Sequence, residues 1–504
     1  MAPFSVRAIV LEQTERTRQS SKADIERFIV ESELKVISLE SQITSEPQST
    51  ALVELRDRER STIAALRYLI APIYSIPIEL LVEIFELAIR EDSEEVLLYI
   101  KDTFLISHVC SDWRRVAHCT PRLWTGHIHV NPGCRDSEQV YAHGLKAWLA
   151  RSAPLPVSIS LSGTGTSRLS PRILEEVLEI SPRWRSLRLQ SQSPSSLARR
   201  IAACNLDSLE ELDLGTIYET PSDLDSGSIL VFSPAARFRK VSMAIDSDSP
   251  HVSMPWAQLT HLALHYRSSI IHDILGQCPN LVSVSIRTPG SPLLPEARRD
   301  TPFALNHLQT LSLVFSESAE PFMPFLDCLS APALQKLCLD FGQVPTEVES
   351  EWTEARFTTF QLRSPNINQL ELTHSYLTSE DLWAALRHAP RITHLKLVGC
   401  DLCFDDTLID ALHYKDGIEP LVPRLHNLVL EKMGKSIFAP DNFVDMIVSR
   451  WWTDAQLASY STPPPVARWT SVKLGETFNL NRPSNERFVR SIEDLRRNGL
   501  DIQT

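Results

Sequence analysis

The stretch ITHLKLVGCDL, from Ile392 to Leu402, decides the fold. Ile392, Leu395 and Leu397 are aliphatic, while His394 and Lys396 occupy the alternate places. Alternation of period two over a few residues marks a short strand with one buried face. The same hexad, L-x-x-L-x-L with other aliphatics and an occasional aromatic allowed, starts at Trp184, Leu209, Phe238, Leu259 and Leu281. It starts again at Leu308, Leu334, Ile367, Leu425 and Trp469. Eleven copies between 184 and 469 of a 504-residue chain recur with a mean period of roughly 28 residues.

The residue before the second aliphatic is polar in every copy, from Ser186 and Glu211 to Asn427 and Ser471. One side of each strand is therefore apolar and the other mostly polar. A single unit cannot bury its aliphatic side, and stacking against its neighbours does so. Parallel neighbours need a return connection, for which Ser269–Gln277 and Ser379–His388 are candidate helices. The pattern resembles the leucine-rich repeat. Residues 395–402 (LKLVGCDL) satisfy that family's longer form, whereas the other copies mostly lack its Asn or Cys. The resemblance implies an α/β solenoid, a leucine-rich-repeat horseshoe with parallel strands, over residues 150–480. PVSISL, residues 156–161, is expected to be its first strand. A helix within 481–504, with Phe488, Ile492 and Leu495 on one side and Gly499 as its stop, is expected to cap the other end. The Pro- and Ser-rich tract 453–468 reads as an exposed loop.

Ahead of the array, Ile76 to Ala88 reads IPIELLVEIFELA. Pro77 suits a first helical turn, and Leu80, Leu81, Ile84, Phe85 and Ala88 recur at helical spacing. Farther on, Leu105, Val109, Trp113 and Val116 recur likewise, and Trp124 follows in PRLW. These short helices have more apolar positions than they can hide from one another, which points to a partner surface. Residues 71–130 resemble the F-box, most closely the F-box proteins of mushroom-forming fungi. Ile76 and Pro77 stand for that family's leucine-proline, and Glu79, Ile84, Phe85, Val109, Cys110, Trp113 and Trp124 match its pattern directly. The resemblance implies docking on a Skp-type adaptor, and through it on a cullin in a ubiquitin ligase. The gripping residues would be Ile76, Pro77, Leu80, Leu81, Ile84, Phe85, Val109, Cys110 and Trp113. Trp124 is read as core joining this region to the array. The connection Arg90–Thr103 is longer than the family's usual one.

Residues 1–70 are charged and helical in pattern. Ile25, Ile29, Ser32, Val36, Leu39 and Ile43 form a coiled-coil-like seam of under three heptads, and Leu52, Leu55, Ile63, Leu66 and Ile70 mark a second helix beyond Pro47. A hairpin folded on itself and a dimerising segment both fit, and the hairpin or a stalk is favoured because the seam is short. The net charge of −13 argues against a general binder of nucleic acid or anionic membrane. There is no apolar run of about 18 residues and no secretory h-region, and nine scattered cysteines read as reduced core residues. A cytoplasmic or nuclear protein is expected.

Catalytic motifs are sparse. Met433–Ser436 (MGKS) follows a strand as the end of a phosphate loop would, but position 429 is Val where that loop needs Gly. Cys400-x-x-Cys403 has zinc or redox spacing without a second pair nearby. His108, Cys110, His118, Cys119, His127 and His129 cluster in sequence and read as helix surface or strand. Gly163 and Gly165 are too few for a dinucleotide loop. The expectation is a non-enzymatic substrate receptor without a cofactor, acting by proximity. Its client would meet the polar strand face at Arg188, Asp213, His261, Arg287, Lys336, Glu371, Lys396 and Lys473. The alternative is a leucine-rich-repeat scaffold that recruits no ligase.

Overall fold

In a computed structural model of the chain, all eleven hexads are strands of one sheet. The structure describes residues 6–46, 48–89, 96–130, 138–162, 170–190, 192–218, 230–232, 235–245, 252–265, 269–288, 303–315, 323–342, 354–433, 438–459, 464–475 and 486–503. The chain divides into two compact units, 1–123 and 124–504.

In the second unit a 15-stranded sheet runs in chain order, each strand bonded to the next, with only Gln192–Pro194 off that path. Every pairing is parallel; Leu370 stands opposite Leu337 and Leu395, and Leu372 opposite Leu339 and Leu397. This is an α/β solenoid, the architecture that the resemblance to leucine-rich repeats implies. Helices such as Ser379–Arg387 and Asp406–Leu412 make the return runs. The inner aliphatics are sealed: Leu187, Leu212, Leu262, Leu311, Leu337, Leu395 and Leu428 are all buried.

One backbone device repeats through the stack. Glu210 N–H donates to Arg185 O (2.8 Å), Arg239 N–H to Glu210 O (3.0 Å) and Thr260 N–H to Arg239 O (2.9 Å). The chain of bonds continues to Thr470 N–H on His426 O at 2.8 Å. Most entries to a strand are tight turns, as where Leu281 N–H meets Cys278 O (3.4 Å) and Leu425 N–H meets Val422 O (3.0 Å). The residue opening that turn is buried in copy after copy: Leu206, Ala235, Trp256, Cys278, Leu305, Ala331, Ala389 and Val422. Three residues ahead of most hexads there is thus a further apolar position, which the six-residue pattern leaves out; Ser181 and Ser364 hold that place ahead of Trp184 and Ile367.

The ends differ from expectation. The first strand is Ile128–Val130, pairing with Val157–Ser162, so the solenoid begins before PVSISL and inside the span assigned to the F-box. The last strand is Asp501–Gln503, pairing with Ser471–Lys473, so the helix Glu486–Arg497 is followed by one more rung of the ladder. Trp124 is fully buried within the second unit, its ring 4.8 Å from Trp148, whose indole N–H donates to Trp124 O (2.9 Å).

The first unit is helical. α1 (Val6–Arg16), α2 (Lys22–Ser45) and α3 (Thr50–Leu69) pack together, with Ile25 and Ile29 of α2 against Leu66 of α3. Ser21 starts α2 with a capping box to Asp24. Arg60–Glu40 and Arg67–Glu33, both 2.5 Å, tie α3 to α2. The short seam therefore closes on its own chain as a hairpin. α4 (Ile78–Ala88), α5 (Val96–His108) and α6 (Ser111–His118) follow. The pattern Leu105, Val109, Trp113, Val116 is not one helix, because Val109 and Cys110 separate α5 from α6. Of the long connection 90–103, residues 96–103 extend α5 and 90–95 lie outside the described residues.

Candidate functional site

Two surfaces carry the residues singled out from the sequence, one in each unit. In the first unit, α4 presents adjacent stripes of opposite fate. Leu81 and Phe85 are buried at 6% and 1%, whereas Leu80 and Ile84 are exposed at 56% and 42%. The Phe85 and Trp113 rings lie 4.8 Å apart, and Trp113 is half-buried. Leu81 and Phe85 thus hold the helices together and do not face outward, which corrects their expected place on the surface. Cys110 is a helix cap: its Sγ accepts the Trp113 backbone N–H at 3.4 Å. Arg114 Nε donates to Ser107 O (3.0 Å) and locks the α5–α6 corner. Much of what remains outward is apolar: Ile78, Leu80, Ile84, Leu87, Leu105 and Val109 are all exposed, as is Pro77, with Ile76 half-buried, and Glu79 and Glu83 are exposed among them. Leu80, Ile84 and Leu87 stand at i, i+4 and i+7, a single stripe along α4.

In the second unit, parallel register turns the hexad's polar positions into rows across the sheet. Arg188 stands opposite Asp213 and pairs with it at 3.6 Å. Lys240 Nζ reaches Glu211 at 2.5 Å on the neighbouring strand. Farther along, Glu371 receives Lys396 at 2.8 Å and Lys336 at 3.4 Å, and Lys473 reaches Glu431 at 2.7 Å. Burial pushes the Glu371 carboxyl upward, but the Lys396 hydrogen bond and the two lysine charges win and hold it below its ordinary value. Between these charge groups the row reads Ser242, Ala263, Ser285, Ser312. A groove of about 410 Å³ opens there, lined by Arg188, Asp213, Lys240, Ser242, His261 and Ala263 among others. Burial, then the Lys240 charge, lowers the His261 pKa. Arg287 is exposed and has no ion-pair partner among the described residues.

All eight residues expected to meet a client lie on this face. Glu211, Lys240 and Glu431 are not among the expected client contacts, yet they complete the ion pairs. Lys240 was legible as the polar residue before its second aliphatic. Glu431 falls one place past the hexad, where the alternation continues.

The remaining motifs are absorbed by the fold. Cys400 Sγ donates to Leu372 O (3.3 Å) and Cys403 Sγ to Leu377 O (3.2 Å), both in the core. His127 and His129 share the Ser160 hydroxyl at 2.9 and 3.0 Å. Residues 434–437 of the MGKS turn, and Gly163 and Gly165, lie outside the described residues. No described helix is long and apolar enough to cross a membrane. No group of three or more His, Cys, Asp or Glu among the described residues is placed to hold a metal.

No family model matches the chain, and no curated protein matches it. Among solved structures it is similar to a chain of the crystal structure of a TLR13–ssRNA13 complex, at 13% identity and a TM-score of 0.31. The similarity covers 76% of this chain and 62% of that one, so this chain spans about three fifths of that protein's length. The likeness to leucine-rich repeats rests on the strand ladder and the hexads that build it.

Proposed function

We propose that this chain is a substrate-recognition subunit of an SCF-type ubiquitin ligase. Its F-box helices dock on a Skp-type adaptor, and through it a cullin, while the polar strand face of the array holds a client protein. The observation that carries the reading is the outward apolar stripe Leu80, Ile84 and Leu87 on α4, with Leu105 and Val109 exposed on the following segment. Apolar residues grouped in this way call for a covering partner. Ile76, Pro77, Leu80, Ile84 and Val109 make the contact, and Leu81, Phe85, Cys110 and Trp113 support it from within. The chain contributes no catalytic residue; it raises the local concentration of client near the ligase. A cytoplasmic or nuclear setting follows from that role.

The alternative is a protein-interaction scaffold without ligase recruitment, favoured by the extension of α5 across 96–103, which alters the surface an adaptor would meet. Co-purification of the full chain with a Skp-type adaptor on size exclusion separates the two readings. A one-to-one complex supports the receptor. A folded chain that elutes alone sinks it and leaves the scaffold.

A further inference from the structure

We propose that the strand-entry edge of the array holds a binding site for a phosphate monoester dianion, built by Arg391 and Arg424. A cleft of about 340 Å³ there is lined by Gln335, Asn366, Asn368, Arg391, Thr393 and Arg424. Two guanidinium groups and four neutral hydrogen-bonding side chains line it, and no carboxylate does. This reverses the chemistry of the neighbouring strand face, where Lys240, Lys336, Lys396 and Lys473 each reach a glutamate. In a chain of net charge −13, two exposed arginines sharing a carboxylate-free cleft are a local exception.

The repeat explains why they meet. Arg391 and Arg424 each stand between a proline and the first aliphatic of a hexad, in Pro390-Arg391-Ile392 and Pro423-Arg424-Leu425. They occupy the same row one repeat apart, and adjacent strands are about 4.8 Å apart. Asn366 holds that place in the preceding repeat. Its Nδ2 donates to Pro332 O (2.7 Å), and its Oδ1 accepts from Arg391 Nη1, so one guanidinium is held in position. Asn368 also lines the cleft, with its Oδ1 enclosed and without a hydrogen-bond partner.

Two positive charges match a dianion, and guanidinium forks pair bidentately with phosphate oxygens. A single carboxylate would leave one charge over. Free phosphate shares the dianion chemistry. The site concerns the array edge alone and does not depend on the adaptor reading.

The test is calorimetric titration of the full chain with N-acetyl-phosphoserine amide, inorganic phosphate and N-acetyl-glutamate amide, at constant ionic strength. Saturable one-to-one binding of a phosphate probe is expected, weakened about tenfold or more in the double variant Arg391→Gln/Arg424→Gln. The variant should melt with the parent in chloride, because both side chains are exposed. Tighter binding of the phosphoserine compound assigns the site to a phosphorylated polypeptide; equal binding of inorganic phosphate assigns it to a free oxyanion. Absence of saturable binding, unchanged binding in the double variant, or equal binding of the glutamate compound would each overturn the proposal.

Discussion

The rings of Phe85 and Trp113 lie 4.8 Å apart, inclined at 57°, and join α4 to α6. Phe85 is almost fully buried there, while Ile84 beside it is exposed. Consecutive residues of α4 thus serve different ends, one holding the helices together and the other facing out. Phe85→Ala should destabilise this helical group by about 3–5 kcal/mol, as large-to-small changes in cores do. Urea unfolding followed by helical circular dichroism measures it; a loss under about 1 kcal/mol would mean the ring pair contributes little.

The outward stripe makes the complementary prediction. Pro77→Ala combined with Leu80→Asp should leave the melting temperature near that of the parent, since both side chains are exposed, and should abolish capture by a Skp-type adaptor. Retention of adaptor affinity in the double variant would show that the contact lies elsewhere.

Glu371 carries a pH signature. Its pKa is lowered in the fold, with burial opposing and Lys396 and Lys336 prevailing. A carboxylate with a depressed folded pKa contributes stability that is complete above its unfolded value, about 4.3, and is lost as pH falls through the folded value. The stability difference between the parent and Glu371→Gln should therefore shrink as pH is lowered from about 6 to about 3. A difference independent of pH over that window would remove the lysines as the cause.

Gly399 follows the strand His394–Val398 with φ +61°, and a Cβ there would meet His374 Cδ2 at 2.9 Å. Left-handed backbone costs a non-glycine residue about 1–2 kcal/mol before any clash. Gly399→Ala should lower the unfolding free energy of the array, read from denaturant titration, by at least that amount. A neutral result would show that the His374 ring moves freely and that the turn relaxes.

Thiol reactivity should follow burial. Burial pushes the Cys278 thiol up to about 12, and Cys400 and Cys403 are enclosed, whereas Cys119 is exposed. Iodoacetamide at neutral pH should label Cys119 in the native chain, and Cys278, Cys400 and Cys403 only after unfolding. Mass spectrometry of timed digests reads the order, and early labelling of Cys278 would contradict the packing at the strand entries.

Local patterning was enough to specify the array. Alternation of period two is local, it recurs eleven times, and each copy from Trp184 to Trp469 became a strand with its aliphatics inward. It also determined the helical hairpin seam at Ile25 and Ile29, for the same reason of spacing. Tertiary structure alone decided the ends, because Ile128–Val130 and Asp501–Gln503 are three residues each and too short to show a period; they are strands because a neighbour offers them a ladder. It decided which of Leu80 and Leu81 is covered, since both fit the helical pattern and only the position of the neighbouring helices chooses between them. It decided as well that Glu371 answers both Lys336 and Lys396. Those three are far apart along the chain, and only the register between stacked repeats brings their charges within reach.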